Sequence, residues 1–339
     1  MTTEKNGVDL SMFWGYYTRM KLDKIFLQNF RSYENREFEL ADRVVVVGPN
    51  GSGKSNLIEA IYLLATGKSF RAERDEEMVR YGEGFFRVVG EIGGLGEIGV
   101  TLKERKNFEV NGVARRMMDF VGNLKAVMFG PGDMELVTGS PSVRRRYLDF
   151  VISQVDREYR RCQISYEKGL RQRNKLLDLI RDGLAGRNQL FFWDKLLIKN
   201  GQYLTDKRAE FLSVTGFEYD KSEISEARLK QYEVEEVAAG NTLVGPHRDE
   251  FVLIRNGRDM SKYGSRGEQR MAVWWLKQKE IEYLGGNPVL LLDDIFSELD
   301  HKHRDEVIEL IKTYGGQVIM TSADEHLVPM QKDWNIIRL

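Results

Sequence analysis

The sequence predicts an α/β fold whose core is split along the chain and interrupted by a helical arm. Three observations predict it. Four valines, Val44–Val47, run into the glycine-rich turn Gly48-Pro49-Asn50-Gly51-Ser52-Gly53-Lys54-Ser55 and then into a helical pattern. A second apolar run, Val289–Leu292, ends in Asp293-Asp294, about 240 residues beyond Ser55. Between the two, from Pro141 onward, the chain turns amphipathic with helical spacing.

The elements follow in order. Residues 22–40 alternate apolar and polar side chains and read as one or two strands around a turn at Ser32–Asn35. Val44–Val47 is a β-branched run, as expected of a strand buried on both faces. Asn56–Thr66 carries the helix, with Gly67 as its stop. Glycines and alternation between Phe85 and Val113 suggest a small antiparallel sheet, with a hairpin turn at Asn111-Gly112. Val143, Tyr147, Phe150, Val151 and Gln154 then fall on one helical face, in a stretch with no proline and no glycine before Gly169. The pattern resumes over Arg187–Leu212 after a turn at Gly183–Gly186. Strand signals return near Thr242, with a second Asn-Gly turn at Asn256-Gly257, followed by a helix over Arg266–Leu284. Gln317–Thr321 and Asn335–Leu339 read as the last strands. The boundaries that result are a leader at 1–20 outside the fold, a first core part at 21–140, a helical arm at 141–241 and a second core part at 242–339. Met20 is an alternative start.

Composition bounds the function. With 339 residues, 42% hydrophobic and 30% charged, the chain can bury a sizeable core. No apolar run reaches the ~20 residues that span a bilayer, and the first twenty lack the pattern of a secretory signal, so a cytoplasmic protein without a membrane partner is expected. Cys162 is the single cysteine, which rules out an internal disulfide and reads as a small buried hydrophobe. Net charge is −1, so any contact with nucleic acid must come from local patches. Residues 141–210 hold 16 Lys/Arg against 9 Asp/Glu, which marks one candidate face.

The turn Gly48–Ser55 fits the phosphate-loop pattern, with four residues between its outer glycines. Backbone N–H groups and the start of a helix surround a phosphate there. Lys54 is expected to reach the β- and γ-phosphates of ATP, and the Ser55 hydroxyl to ligate Mg²⁺. An apolar strand ending in Asp293-Asp294 adds a carboxylate near the metal and a second one, Asp294, to orient or deprotonate water. Gly264-Ser265-Arg266-Gly267 opens a helix, which is either a second anion site or an ordinary serine cap. Since the loop already serves one nucleotide, the first reading calls for a partner subunit.

A phosphate loop, a signature serine opening a helix, a double acid and Ser297-Glu298-Leu299-Asp300 together resemble the ABC-type ATPase head, as in SMC proteins. Within that group the chain is similar to the RecF family of bacterial recombination mediators. The resemblance runs through Asn29–Tyr33, Asn56–Arg71, Ser142–Tyr159, Tyr166–Leu177, Leu243–Phe251 and Leu290–Asp300, nearly the whole chain from Lys21. It implies an ABC-type phosphate-loop head with an inserted helical arm. Gly48, Pro49, Asn50, Gly51, Ser52, Gly53, Lys54, Ser55 and Asn56 would hold ATP, with Asn29 and Arg31 in a segment near the nucleotide. Ser55 and Asp293 would serve Mg²⁺, and Asp294 would be the general base. Ser265 and Asp300 would meet the partner's nucleotide in an ATP-dependent homodimer. The dimer would bind double-stranded DNA or single/double-strand junctions as a slow, DNA-stimulated ATPase. RecR, with RecO, and through them RecA, would be its partners in gap repair, in a cytoplasm where the protein associates with the nucleoid.

The resemblance has departures. Asp294 stands where transporters carry glutamate, Thr321-Ser322 occupies the switch-histidine position, and residues 127–137 offer no glutamine for a Q-loop. A transporter's nucleotide-binding subunit is the alternative those features argue against. An SMC-like structural ATPase would need long heptads and paired cysteines, and a small-molecule kinase would leave the 297–300 segment unexplained. Arg144, Arg145 and Arg146 read either as a grip on DNA or as a solvated helix face; Lys68 and Arg71 are further DNA candidates. His247 reads as a structural or interface histidine, and with four histidines and one cysteine no zinc site is supported.

Overall fold

The computed structural model describes residues 21–255, 257–297, 301–324 and 334–339, which hold two large sheets, two small two-stranded ones and a helical arm. The leader at 1–20 lies outside the described residues.

The central sheet is five parallel strands in the order Asn335–Arg338, Arg43–Val47, Val318–Ser322, Val289–Asp293, Ala126–Phe129. Its side chains alternate strictly between two cores. Val44, Val46, Leu291, Ile319, Ala126 and Met128 face one, while Val45, Val47, Leu290, Leu292, Val127 and Phe129 face the other. A parallel sheet covered on both faces needs such continuous apolar runs, which is why Val44–Val47 and Val289–Leu292 carry no polar residue. Ala126–Phe129 was not anticipated as a strand. It is short and followed by Gly130-Pro131-Gly132, so it reads as loop from sequence alone.

The second sheet is antiparallel, in the order Tyr33–Glu39, Leu22–Phe30, Phe86–Ile92, Gly96–Leu102, Lys106–Val110, Val113–Arg115. The first two strands thus join the expected small sheet and widen it from four strands to six. Helix Lys54–Thr66 lies between the two sheets, and every residue from Leu57 to Thr66 is buried. A helix apolar all round is what such a sandwiched position demands.

The arm starts with helix Pro141–Ser153 and continues as an antiparallel pair, Arg157–Arg181 and Phe191–Ser213. The first of the pair runs through Gly169 without a break, and a side chain there would meet Leu196 Cδ2 at 2.6 Å. Glycine is needed there for close helix approach. The arm has no separate core: Tyr147, Leu148, Tyr159, Leu197 and Phe211 share one apolar cluster with Leu290, Leu292 and Leu276. Cys162 is buried in the same cluster, and burial pushes its thiol up to about 11, as fits a packing residue. Among the described residues, no helix is long and apolar enough to cross a membrane.

Candidate functional site

The site lies at the carboxyl ends of the parallel strands, where open α/β sheets gather ligands. Strand Arg43–Val47 delivers the loop, and Gly48 N–H still bonds to the carbonyl of Ser322 at 3.4 Å. Gly53 closes the loop at φ 108°, a left-handed conformation that suits glycine. A side chain there would strike Ser32 Oγ and Tyr33 Oη, both at 2.9 Å. The helix that follows has no side-chain cap and no acid in its first turn, so its N-terminal N–H groups stay available to an anion. Ser52 Oγ is buried inside the loop without a hydrogen-bond partner. Lys54 folds over the same turn, donating to the carbonyls of Gly48 at 2.7 Å and Pro49 at 2.9 Å. Unused donors, a lysine and an orphaned hydroxyl fit a polyphosphate.

Asp293 ends its strand opposite Thr321 in the neighbouring strand. Its Oδ1 accepts from Ser55 Oγ at 3.0 Å and from Thr321 Oγ1 at 2.7 Å. Thr321 Oγ1 in turn accepts from the Asp294 backbone N–H at 3.0 Å. Asp294 takes φ 49°, the left-handed region that a non-glycine residue rarely adopts, so the chain turns sharply out of the strand at this acid. A hydroxyl and a carboxylate in contact are hard oxygen donors. With phosphate oxygens and water they suit Mg²⁺, which keeps few protein ligands. Thr321, expected only to fill the switch position, bonds to the carboxylate of Asp293 and to the backbone of Asp294.

Asn29, at φ 49° near the end of strand Leu22–Phe30, and Arg31, at φ 53° in the turn after it, lie close together. Arg31 forks onto Glu59 at 2.7 and 2.8 Å, and Arg71 forks onto the same carboxylate at 2.6 and 2.9 Å. Ser69 Oγ adds a further bond to it at 2.6 Å. Burial alone would push the Glu59 carboxyl up, but the Arg31, Arg71 and Ser69 hydrogen bonds outweigh it and hold the group below its ordinary range. Arg71 also bonds to Asn56, and Asn56 to Ser32 at 2.7 Å, so the network borders the loop. Asn29 is buried and donates to Glu83 at 3.2 Å. The sequence reading missed Glu59. The signal was present: one carboxylate among Leu57, Ile58, Ala60 and Ile61 in a helix with no polar face.

Ser265 is exposed and caps helix Arg266–Leu284 in a reciprocal box with Glu268. Its N–H and hydroxyl donate to Glu268 Oε2 at 2.8 and 2.9 Å, and its Oγ accepts from Glu268 N–H at 3.3 Å. Within one copy it is thus an ordinary cap at an exposed helix start. Asp300 lies outside the described residues.

The DNA candidates separate. Arg144 forks onto Glu250 at 2.6 and 2.7 Å, and Arg145 donates to the Asp249 carbonyl at 2.9 Å. These two bind the arm's first helix to the 249–252 segment and are not a solvated face, because their positions on the helix turn them inward. Arg146, one residue on, is exposed at the rim of a cleft that also reaches Asp293. Arg71 is likewise drawn toward Glu59, while Lys68 is half-buried just beyond the loop helix. His247 sits between Tyr166 Oη at 2.8 Å and the Thr242 carbonyl at 3.0 Å. Among the described residues, no group of three or more histidines, cysteines or acids is gathered as a metal site.

Comparison with known proteins adds to this geometry. Residues 21–337 match the family model described as RecF/RecN/SMC N terminal domain. The chain is 33% identical to the DNA replication and repair protein RecF of Thermomicrobium roseum, over 91% of this chain and 95% of that protein. It is 35% identical to the protein of the same name from Moorella thermoacetica, over 91% and 92%. A solved structure described as the recombination mediator protein RecF-ATP in the RecFOR pathway superposes with a TM-score of 0.84, at 31% identity, over 94% of this chain and 95% of that one.

Proposed function

The chain belongs to the RecF family, a family of ATP-binding ATPase heads, and from that premise we propose that it is an ATP-switched DNA-binding protein of recombinational gap repair and replication restart. The observation that carries the reading is the contact of Ser55, Asp293 and Thr321 beside the phosphate loop. Lys54 swings from its loop carbonyls to the β- and γ-phosphates of bound ATP. Ser55 and Asp293 hold Mg²⁺, which offsets phosphate charge and shields it from the carboxylates. Asp294 orients and deprotonates the attacking water. Ser265 of a second copy completes the γ-phosphate site, so ATP joins two heads in a homodimer with Asp300 near the seam. The dimer grips double-stranded DNA or single/double-strand junctions, with Lys68, Arg71 and Arg146 as its contacts. Hydrolysis is slow, stimulated by DNA, and releases the grip. RecR, with RecO, then directs RecA onto the gap, all in the cytoplasm at the nucleoid.

The test is DNA binding with and without ATP, for wild type, Lys54→Arg and Asp294→Asn. Wild type should bind DNA only with ATP, Lys54→Arg should not respond to ATP, and Asp294→Asn should bind with ATP and stay bound. DNA binding indifferent to nucleotide in all three proteins sinks the switch.

A further inference from the structure

Helix Arg266–Leu284, which Ser265 opens, carries a buried lysine on its inner face. Lys277 is buried, with its ammonium 3.3 Å from Asp133 Oδ1 and 3.2 Å from Glu280 Oε2, over the Tyr147 ring at 4.8 Å. Burial lowers the affinity of Lys277 for its proton, but Asp133 and Glu280 outweigh it and hold the group above its ordinary range. A fully buried ammonium is costly without such partners. The second oxygen of Asp133 accepts from Gly130 N–H at 2.8 Å and so shapes the turn that follows strand Ala126–Phe129. That turn lies against the metal-side acid: a side chain at Gly130 would meet Asp293 Cβ at 3.6 Å. Asp133, Lys277 and Asp293 line one cleft.

Bonds link Lys277 to Asp133, Asp133 to Gly130 and Asp293 to Ser55, and the pairing of Phe129 with Leu292 sets Gly130 beside Asp293 between them. The segment they cross is the one in which no Q-loop glutamine was found. We propose that Lys277 is a positioning residue for ATP hydrolysis, which through Asp133 holds the Gly130–Asp133 turn against Asp293, so that a partner engaging Ser265 is felt at the metal site. The proposal rests on the ATPase reading above. It assigns to an ion pair the task of linking arm and sheet, with Tyr147 of the arm as the wall against which the ammonium packs.

The experiment compares wild type, Lys277→Met, Asp133→Asn, the double variant and Lys277→Arg. Binding of a fluorescent ATP analogue and steady-state ATP turnover are measured on protein whose melting curve shows it folded. Nucleotide Kd should stay within about twofold, while kcat falls about 10- to 100-fold, the effect of a small displacement at a reacting centre. The double variant should be no slower than the slower single one, because both cut the same series. Lys277→Arg should recover part of the loss. A purely structural role predicts lower melting temperatures with kcat and KM unchanged, and that result overturns the proposal. If Lys277→Met does not fold, Asp133→Asn, which keeps the side chain's shape, decides alone. A wild-type protein without ATP turnover overturns the ATPase reading and this inference with it. Wild-type turnover with unchanged variants overturns this inference only.

Discussion

Ser55 donates a 3.0 Å hydrogen bond to Asp293 across 238 residues of chain. The bond exists because strands Arg43–Val47 and Val289–Asp293 flank Val318–Ser322 in parallel, so their carboxyl ends reach the same level of the sheet. Thr321, on the strand between them, bonds to the same carboxylate oxygen and locks the acid's orientation. The arm inserted between the two halves leaves this register intact.

Ser55→Ala and Asp293→Asn each remove one hard oxygen donor from that pair. Each should lower Mg²⁺-dependent ATP affinity by about 10- to 100-fold, the range seen when metal-site groups are lost. Titration of a fluorescent ATP analogue in Mg²⁺ and in EDTA measures it. Variants that keep the full Mg²⁺ dependence of wild type would remove these residues from the metal site.

Ser265→Arg places a bulky cation where a serine caps an exposed helix. Loss of the cap should cost only about 1 kcal/mol of stability, since a surface helix tolerates it. ATP-dependent association, by contrast, should disappear in sedimentation runs at protein concentrations where wild type dimerises. A Ser265→Arg protein that associates with ATP and turns it over as wild type does refutes the shared site.

Arg144 and Arg146 should part company. Arg144→Ala leaves the Glu250 carboxylate without its forked partner and should destabilise the protein by about 1–3 kcal/mol. Arg146→Ala, at an exposed position, should change stability by no more than about 0.5 kcal/mol. It should weaken DNA binding and flatten its salt dependence, since each phosphate contact contributes to the slope. Melting curves and DNA titrations at several salt concentrations separate the two. Equal stability losses would show that the inward and outward assignments are wrong.

The sequence displayed most of this site because phosphate chemistry tolerates few substitutes. Gly48–Ser55 must be a turn of small residues, and Asp293-Asp294 must end an apolar strand, so both were legible and came together in the structure. What stayed hidden depends on tertiary contact. Arg144, Arg145 and Arg146 look alike in sequence, yet Glu250 and Asp249, more than a hundred residues on, decide which of them turns inward. Ala126–Phe129 is four residues long and needs Val289–Asp293 beside it to be a strand. Glu59 is a lone acid in an apolar helix, Lys277 is one of several charges in helix Arg266–Leu284, and neither names its partners before the fold does.

His247 gives a prediction in pH. Burial, outweighing its bond to the Thr242 carbonyl, pulls the imidazole from 6.5 down to about 4. In the folded protein it is therefore neutral over a range where the unfolded chain binds a proton. Stability from this group is complete above about pH 6.5 and is lost as pH falls through the window from 6.5 toward 4, because protons there favour the unfolded state. The loss amounts to at most about 3 kcal/mol. His247→Gln keeps a polar group between Tyr166 and Thr242 and has no proton to gain. Its melting temperature should fall less steeply than wild type's across that window, with the two curves parallel above it. Parallel curves throughout would mean that the folded protein accommodates the charged imidazole, so that burial does not hold it neutral.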